Sequence, residues 1–170
     1  MKIKNRNILY KGYYQLEELE LETRKGYRIQ RELFMNKNGV CAIVYNRSTD
    51  KYIFVNQWRP SIEEYILEVV AGSIEKGESP IDAIKKEVIE ETGYKPSTIK
   101  YIRNFYVSPG AITENVNLFF VEVETKISDE LGAEGEHEDI ELIEMSLEEV
   151  IDYHFIDAKT IIATHNINKK

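Results

Sequence analysis

Gly72–Tyr94 reads GSIEKGESPIDAIKKEVIEETGY, and one helix has its ends and faces written in those residues. Ser79 is a side-chain acceptor at an N-cap position, Pro80 suits the first helical position, and Asp82 falls in the first turn. Ala83, Ile84 and Val88, with Ile81 on the flank, recur at helical spacing. Gly93 predicts a left-handed C-terminal cap, and Pro96 stops continuation. Glu87, Glu90 and Glu91 take the i, i+3, i+4 spacing that gathers carboxylates on one face, expected on the side away from the apolar stripe. Carboxylates packed so closely repel one another, and a hard divalent cation such as Mg²⁺ removes the conflict. Taken alone, the same triplet also describes an ordinary solvated acidic face.

Outward from this helix, Glu68-Val69-Val70-Ala71 predicts a short strand leading into Gly72. Upstream, Val40–Tyr45 reads as a buried strand and Tyr52–Gln57 as a second, joined by a polar turn over Asn46–Lys51. Downstream, strands are expected at Ile99–Val107, Asn117–Val123 and Ile140–Met145, with an acidic, Gly-containing loop over 128–139. Ser146 caps a helix at Leu147–Tyr153, and Asp157–Thr164 predicts a last helix. Residues 8–34 alternate apolar and polar side chains around a Lys25-Gly26 turn, the pattern of antiparallel strands. The loop Asn36–Gly39 then divides a β arm over residues 1–36 from a main domain over 37–170. Strands interleaved with helices place the chain in the α/β (α+β) class, with a mixed sheet covered by helices on both faces.

Composition limits the partners. With 42% hydrophobic and 31% charged residues, the chain has the balance of a globular protein. A formal net charge of -8 leaves no surplus of Lys and Arg to displace phosphate counterions, so no nucleic-acid partner is expected. A phosphorylated small molecule remains compatible, because bound cations invert the sign of a local site. Cys41 is the only cysteine, so no intrachain disulfide forms. The basic start lacks the apolar stretch of a signal peptide, and no run reaches membrane-spanning length; no membrane partner and a cytoplasmic location are expected.

From Gly72, the pattern continues through five residues to Glu78, then seven to Lys86-Glu87-Val88-Ile89-Glu90-Glu91-Thr92-Gly93-Tyr94. This resembles the Nudix box, G-x5-E-x7-R-E-U-x-E-E-x-G-U with U apolar. Lys86 stands for the usual Arg and Tyr94 for an aliphatic residue. The resemblance implies an α/β/α sandwich and a hydrolase that cleaves nucleoside diphosphates linked to another group, using Mg²⁺, with Mn²⁺ as the alternative ion. It makes Glu87, Glu91 and the main-chain carbonyl of Ala71 metal ligands, with Glu90 close by in the catalytic centre as a ligand or a water-mediated contact. Gly72, Glu78, Lys86 and Gly93 take structural roles, Glu78 pairing with residue 86. Lys supplies a point charge where Arg supplies a planar fork, so a less ordered loop is expected.

Ser108-Pro109-Gly110 with downstream Glu114 is similar to the proline signature of the ADP-ribose pyrophosphatase branch, and Gln57-Trp58-Arg59-Pro60 also resembles that branch. By this resemblance Arg59 contacts phosphates, Gly110 and Glu114 lie at the ribose, and Glu75 and Arg31 reach substrate. The alternatives are an Arg59 ion pair with Glu63 or Glu64, and a Gly110 that serves only a turn. Glu134-Gly135-Glu136-His137-Glu138-Asp139 resembles the branch's E-x-E-D loop, which makes Glu136 the base that activates water and Glu138 a further metal ligand. The same residues also suit a plain solvated acidic loop. In this branch the arm crosses to a partner, so a domain-swapped homodimer is expected. ADP-ribose, cleaved to AMP and ribose 5-phosphate, is the leading substrate; GDP-mannose or another nucleotide sugar is the alternative. A non-catalytic sensor of nucleotide sugars is the remaining class, disfavoured by the retained box acids.

Overall fold

A computed structural model of the protein describes residues 1–129, 131–132 and 139–167. The chain divides into two compact units, Met1–Asn38 with Tyr106–Asn115, and Gly39–Phe105 with Val116 onward.

In the first unit, β1 (Lys2–Lys11), β2 (Gln15–Glu22) and β3 (Arg28–Met35) form an antiparallel sheet in that order. The β2–β3 turn falls where Lys25-Gly26 predicts it: Gly26 takes φ 82 and its N–H donates to the Thr23 carbonyl at 3.0 Å. β1 extends the expected hairpin into three strands. Its pairing with β2 shifts register between Ile3 and Asn5 and between Ile8 and Tyr10. Each shift moves the side-chain alternation to the other face, so the sequence shows no clean period of two. Segment 106–115 belongs to this unit: the Phe34 N–H donates to the Ala111 carbonyl at 2.8 Å, and the Phe34 carbonyl accepts from Thr113 at 3.1 Å.

The second unit is built on a seven-stranded mixed sheet. Its main path runs β10 (Ile140–Met145), β5 (Lys51–Arg59), β4 (Gly39–Asn46), β9 (Asn115–Lys126), β8 (Tyr94–Tyr106); β6 (Glu64–Glu68) pairs with β5 and β7 (Val70–Ser73) with β4. β4 and β9 are parallel, whereas β4–β5 and β5–β10 are antiparallel. Side chains of β4 alternate between two cores. Val40, Ala42 and Val44 meet Ala83, Ile84 and Val88 of α1 (Pro80–Thr92), whereas Cys41 and Ile43 join Val150 of α2 (Leu147–Asp152), Ala163 of α3 (Ala158–Thr164) and Phe155. Helices therefore cover both faces, giving the expected α/β/α sandwich. A strand buried on both sides needs apolar residues at every position, which is why 40–45 reads as an unbroken apolar run. Each fully buried large side chain contributes about 1.5–3 kcal/mol.

Two strands depart most from expectation. The strand predicted at 68–71 is split, because the chain leaves β5 at Glu68 and joins β4 at Val70. Between them, the Val69 N–H donates to Thr160 Oγ1 at 3.0 Å instead of to a neighbouring strand. β8 begins at Tyr94 and runs through Pro96, which an end strand tolerates because one edge needs no partner. Among the described residues no helix is long and apolar enough to cross a membrane.

Candidate active site

Helix α1 carries the acidic face, and its ends are set by the expected residues. Ser79 Oγ accepts from the Asp82 N–H at 3.2 Å, Pro80 opens the helix, and Gly93 closes it at φ 70 with its N–H on the Ile89 carbonyl at 2.9 Å. The faces differ from the expectation. Glu91 is only 7% exposed and lies at the edge of the apolar stripe, not opposite it. Seven residues bring a helix almost back to the same angle, so Glu91 follows Ile84 and sits one turn beyond Val88. Glu87 and Glu90 are both half-buried, the Glu90 side chain 27% exposed.

The two inner carboxylates converge on the β7 backbone. Glu91 Oε2 accepts from the Ala71 N–H at 3.3 Å. The Glu87 carboxyl lies over Gly72, where a β-carbon would overlap it. A side chain at position 72 would have to displace the Glu87 carboxyl from where it lies. Among the described residues no group of three or more His, Cys, Asp or Glu side chains forms a ready-made metal cage. The donor set still fits Mg²⁺: two carboxylates one helical turn apart, one of them buried, face a strand backbone, and this ion keeps several waters instead of demanding an all-protein shell.

The loop before α1 is held from within. The Glu75 N–H donates to Glu78 Oε2 at 2.9 Å, the Glu78 N–H returns to the Glu75 carbonyl at 3.0 Å, and Gly77 turns the chain at φ 87. The expected Glu78–Lys86 pair is not formed. Lys86 Nζ lies 3.5 Å from Glu90 Oε2, its i+4 neighbour, and Glu78 serves the loop backbone. Burial would lower the Lys86 pKa, but the charges of Glu90 and Glu87 outweigh it and hold the ammonium above its ordinary value. A single ammonium reaches one partner well, and the helical neighbour takes it.

The guanidinium of Arg59, at the end of β5, forms an ion pair with neither Glu63 nor Glu64. Its Nε donates to Glu68 Oε1 at 3.0 Å and its Nη2 to Glu68 Oε2. The Glu68 hydrogen bond, against the opposing effect of burial, raises the Arg59 pKa, with further contributions from the charges of Glu68, Glu91 and Asp157. Glu68 is buried and also accepts from Lys159 Nζ at 3.1 Å. Neither Glu68 nor Lys159 stood out in the sequence as a site residue. The available signal was a carboxylate inside the apolar run 66–71, since a buried Glu is rare unless paired.

In the first unit, Glu114 Oε2 accepts from Asn36 Nδ2 at 3.1 Å, and Arg31 Nη1 donates to the Gln30 carbonyl at 2.7 Å. Ser108 turns the chain by accepting from Ala111 at 3.0 Å and Ile112 at 2.8 Å. A β-carbon on Gly110 would meet open space, so no steric contact requires glycine there. Glu136 and Glu138, with Glu134 and His137, lie outside the described residues.

Residues 35–164 match the family model of the NUDIX domain, a span that holds α1, its loop and both helical layers. The chain belongs to the Nudix family. It is accordingly a Nudix pyrophosphohydrolase. Among its relatives are a methanol dehydrogenase activator of Bacillus methanolicus, 31% identical over 95% of this chain and 88% of the relative. A GDP-mannose pyrophosphatase of Cronobacter sakazakii is 30% identical over 94% and 91% of the two chains. The Yersinia enterocolitica GDP-mannose pyrophosphatase is 31% identical over 95% and 94%. A crystal structure of an ADP compounds hydrolase superposes with a TM-score of 0.83 at 18% identity, covering 99% of this chain and 92% of that one, and supports the Nudix fold.

Proposed function

We propose that this Nudix enzyme hydrolyses the pyrophosphate bond of a nucleoside diphosphate sugar in a Mg²⁺-dependent reaction, giving a nucleoside monophosphate and a sugar phosphate. The observation that carries this reading is the convergence of Glu87 and Glu91 on Ala71-Gly72. In this proposal Glu87, Glu91, the Ala71 carbonyl and Glu138 hold the ion, with Glu90 beside them. When bound, Mg²⁺ supplies charge neutralisation at the phosphates and acidifies water. Glu136 takes the proton as the water oxygen bonds to phosphorus, and the bridging P–O bond breaks toward the departing phosphate. Arg59 contacts the phosphates, while Glu75, Arg31, Gly110 and Glu114 contact the rest of the substrate.

GDP-mannose is the first substrate to assay, because relatives bearing that activity in their names align across 94–95% of this chain, arm included. ADP-ribose is the second, supported by Ser108-Pro109-Gly110 and Glu114. A panel of GDP-mannose, ADP-ribose, ADP-glucose and NADH, with and without Mg²⁺, decides between them. Metal-independent turnover, or none on any member, overturns the reading. Glu136→Gln and Glu138→Gln each lower kcat by about 10²-fold or more if they act as base and ligand; nearly full turnover in both refutes those roles.

The arm of residues 1–36 is proposed to exchange with a second copy in a homodimer. Every residue of β1 is exposed, including Ile3, Ile8, Leu9 and Tyr10. Apolar strand surface of this kind is covered in an assembly more readily than left to water. A monomeric mass by light scattering at assay concentration overturns this part.

A further inference from the structure

Opposite the acidic helix, the break between β6 and β7 holds an ion network that no box residue accounts for. Glu68, with a side chain 4% exposed, receives Arg59 from β5 and Lys159 from α3. Lys159 Nζ is shared with Asp157 Oδ1 at 3.0 Å, and Asp157 Oδ2 in turn caps α3, accepting from the Thr160 N–H at 2.9 Å and Oγ1 at 2.6 Å. Thr160 Oγ1 accepts from the Val69 N–H, one residue beyond Glu68. The start of α3 is thus fastened to the backbone at 68–69 by a neutral and a charged contact together.

The consequence for Arg59 is one of charge and direction. Its Nε and Nη2 are taken by Glu68, which fixes the guanidinium plane, and Nη1 has no hydrogen-bond partner among the described residues. A buried carboxylate held by one arginine alone would draw on all of that arginine's charge. Here Lys159 supplies a second cation, shared between Glu68 Oε2 and Asp157 Oδ1, so two cations offset two carboxylates; without it Arg59 would face both carboxylates alone, and with it the third guanidinium nitrogen can meet an anion. We infer that Lys159 is a positioning residue for substrate binding, acting through Glu68 to keep Arg59 oriented and electrostatically available to the diphosphate. This rests on the proposed contact of Arg59 with the phosphates.

The test is a set of variants in the full-length enzyme, assayed with Mg²⁺ on whichever of GDP-mannose and ADP-ribose is turned over. Lys159→Met is expected to raise KM about fivefold with kcat within about twofold. Lys159→Arg, which keeps the charge, recovers most of the affinity. Lys159→Gln, which keeps a donor without the charge and is the milder change for folding, behaves like Lys159→Met. Arg59→Ala raises KM more, and adding Lys159→Met to it produces no further rise, because the two act in series. A purely structural role would lower thermal stability without this non-additive KM effect. If Arg59→Ala raises KM while the Lys159 variants leave it unchanged, or if the two effects multiply, the inference is overturned and the reading of Arg59 stands. An unchanged KM in Arg59→Ala overturns both.

Discussion

Gly72 and Glu87 share one space: the glutamate carboxyl sits where a β-carbon of residue 72 would be. Gly72→Ala must therefore displace either the β7 backbone or the Glu87 side chain. Backbone there is paired with Val40 in β4 and moves at a cost, so the flexible glutamate yields. The expected outcome is a small loss of stability, no more than about 1 kcal/mol and at the low end for overpacked sites, because the obstacle is the far end of a flexible side chain. Activity at saturating substrate should fall more steeply than stability, and the Mg²⁺ concentration for half-maximal rate should rise. Thermal melts and a Mg²⁺ titration check this; unchanged metal dependence would separate Glu87 from the ion.

Lys86→Arg tests the altered box position. In the wild type, Lys86 serves Glu90, and Glu78 serves the Glu75 N–H. A guanidinium offers several donors and can engage Glu90 while reaching toward Glu78, whose charge Lys86 already feels. Because the lysine is about half exposed, the gain in stability should be no more than about 1 kcal/mol. Mg²⁺ affinity should hold or improve, as read by activity against metal concentration. A loss of metal affinity would mean that Lys86 is tuned to its own loop.

Helix α1 was legible because every signal is local: Ser79, Pro80 and Gly93 fix its ends within its own span. The covered strands were legible from apolar runs, and β4 came through nearly whole. β1 was hidden by its two register shifts, which scramble the alternation that betrays a strand. Glu91 departs from the expected acidic face because a seven-residue step returns it to the stripe of Ile84, so the three neighbouring glutamates do not share one environment. Glu68 carried a weak signal, a charge within apolar residues. Its partner Lys159 lies 91 residues away and carried none, since only the meeting of α3 with the β6–β7 break brings the pair together.

Cys41 is fully buried in β4, and burial pushes its thiol up to about 12, with Lys159 lowering and Asp157 raising it to smaller extents. The reactive thiolate is therefore nearly absent at neutral pH, and access is closed as well. A disulfide reagent should label the native protein at a rate set by unfolding, and label it promptly in denaturant. Fast labelling of the folded enzyme would show that the sheet opens around β4. Cys41→Ser should cost stability without touching turnover, because it puts a hydroxyl into an apolar core.

Asp157 gives the acid limb of stability a structural origin. Burial would raise its pKa, but the Lys159 charge and the hydrogen bonds from Thr160 and Lys159 outweigh it, and the pKa falls below the ordinary carboxylate value. A carboxyl depressed in the folded state favours folding at pH above its unfolded pKa. That contribution is lost as pH falls through the folded value, because the native state must then accept a proton it resists. Melting temperature should hold from neutral pH down to about 4 as far as this group is concerned, then drop. Asp157→Asn keeps a good helix cap but removes the titration, so it should melt lower at pH 7 and lose less on acidification. Melts of both proteins between pH 7 and pH 3 give the comparison, and parallel curves would assign the acid limb to other carboxylates.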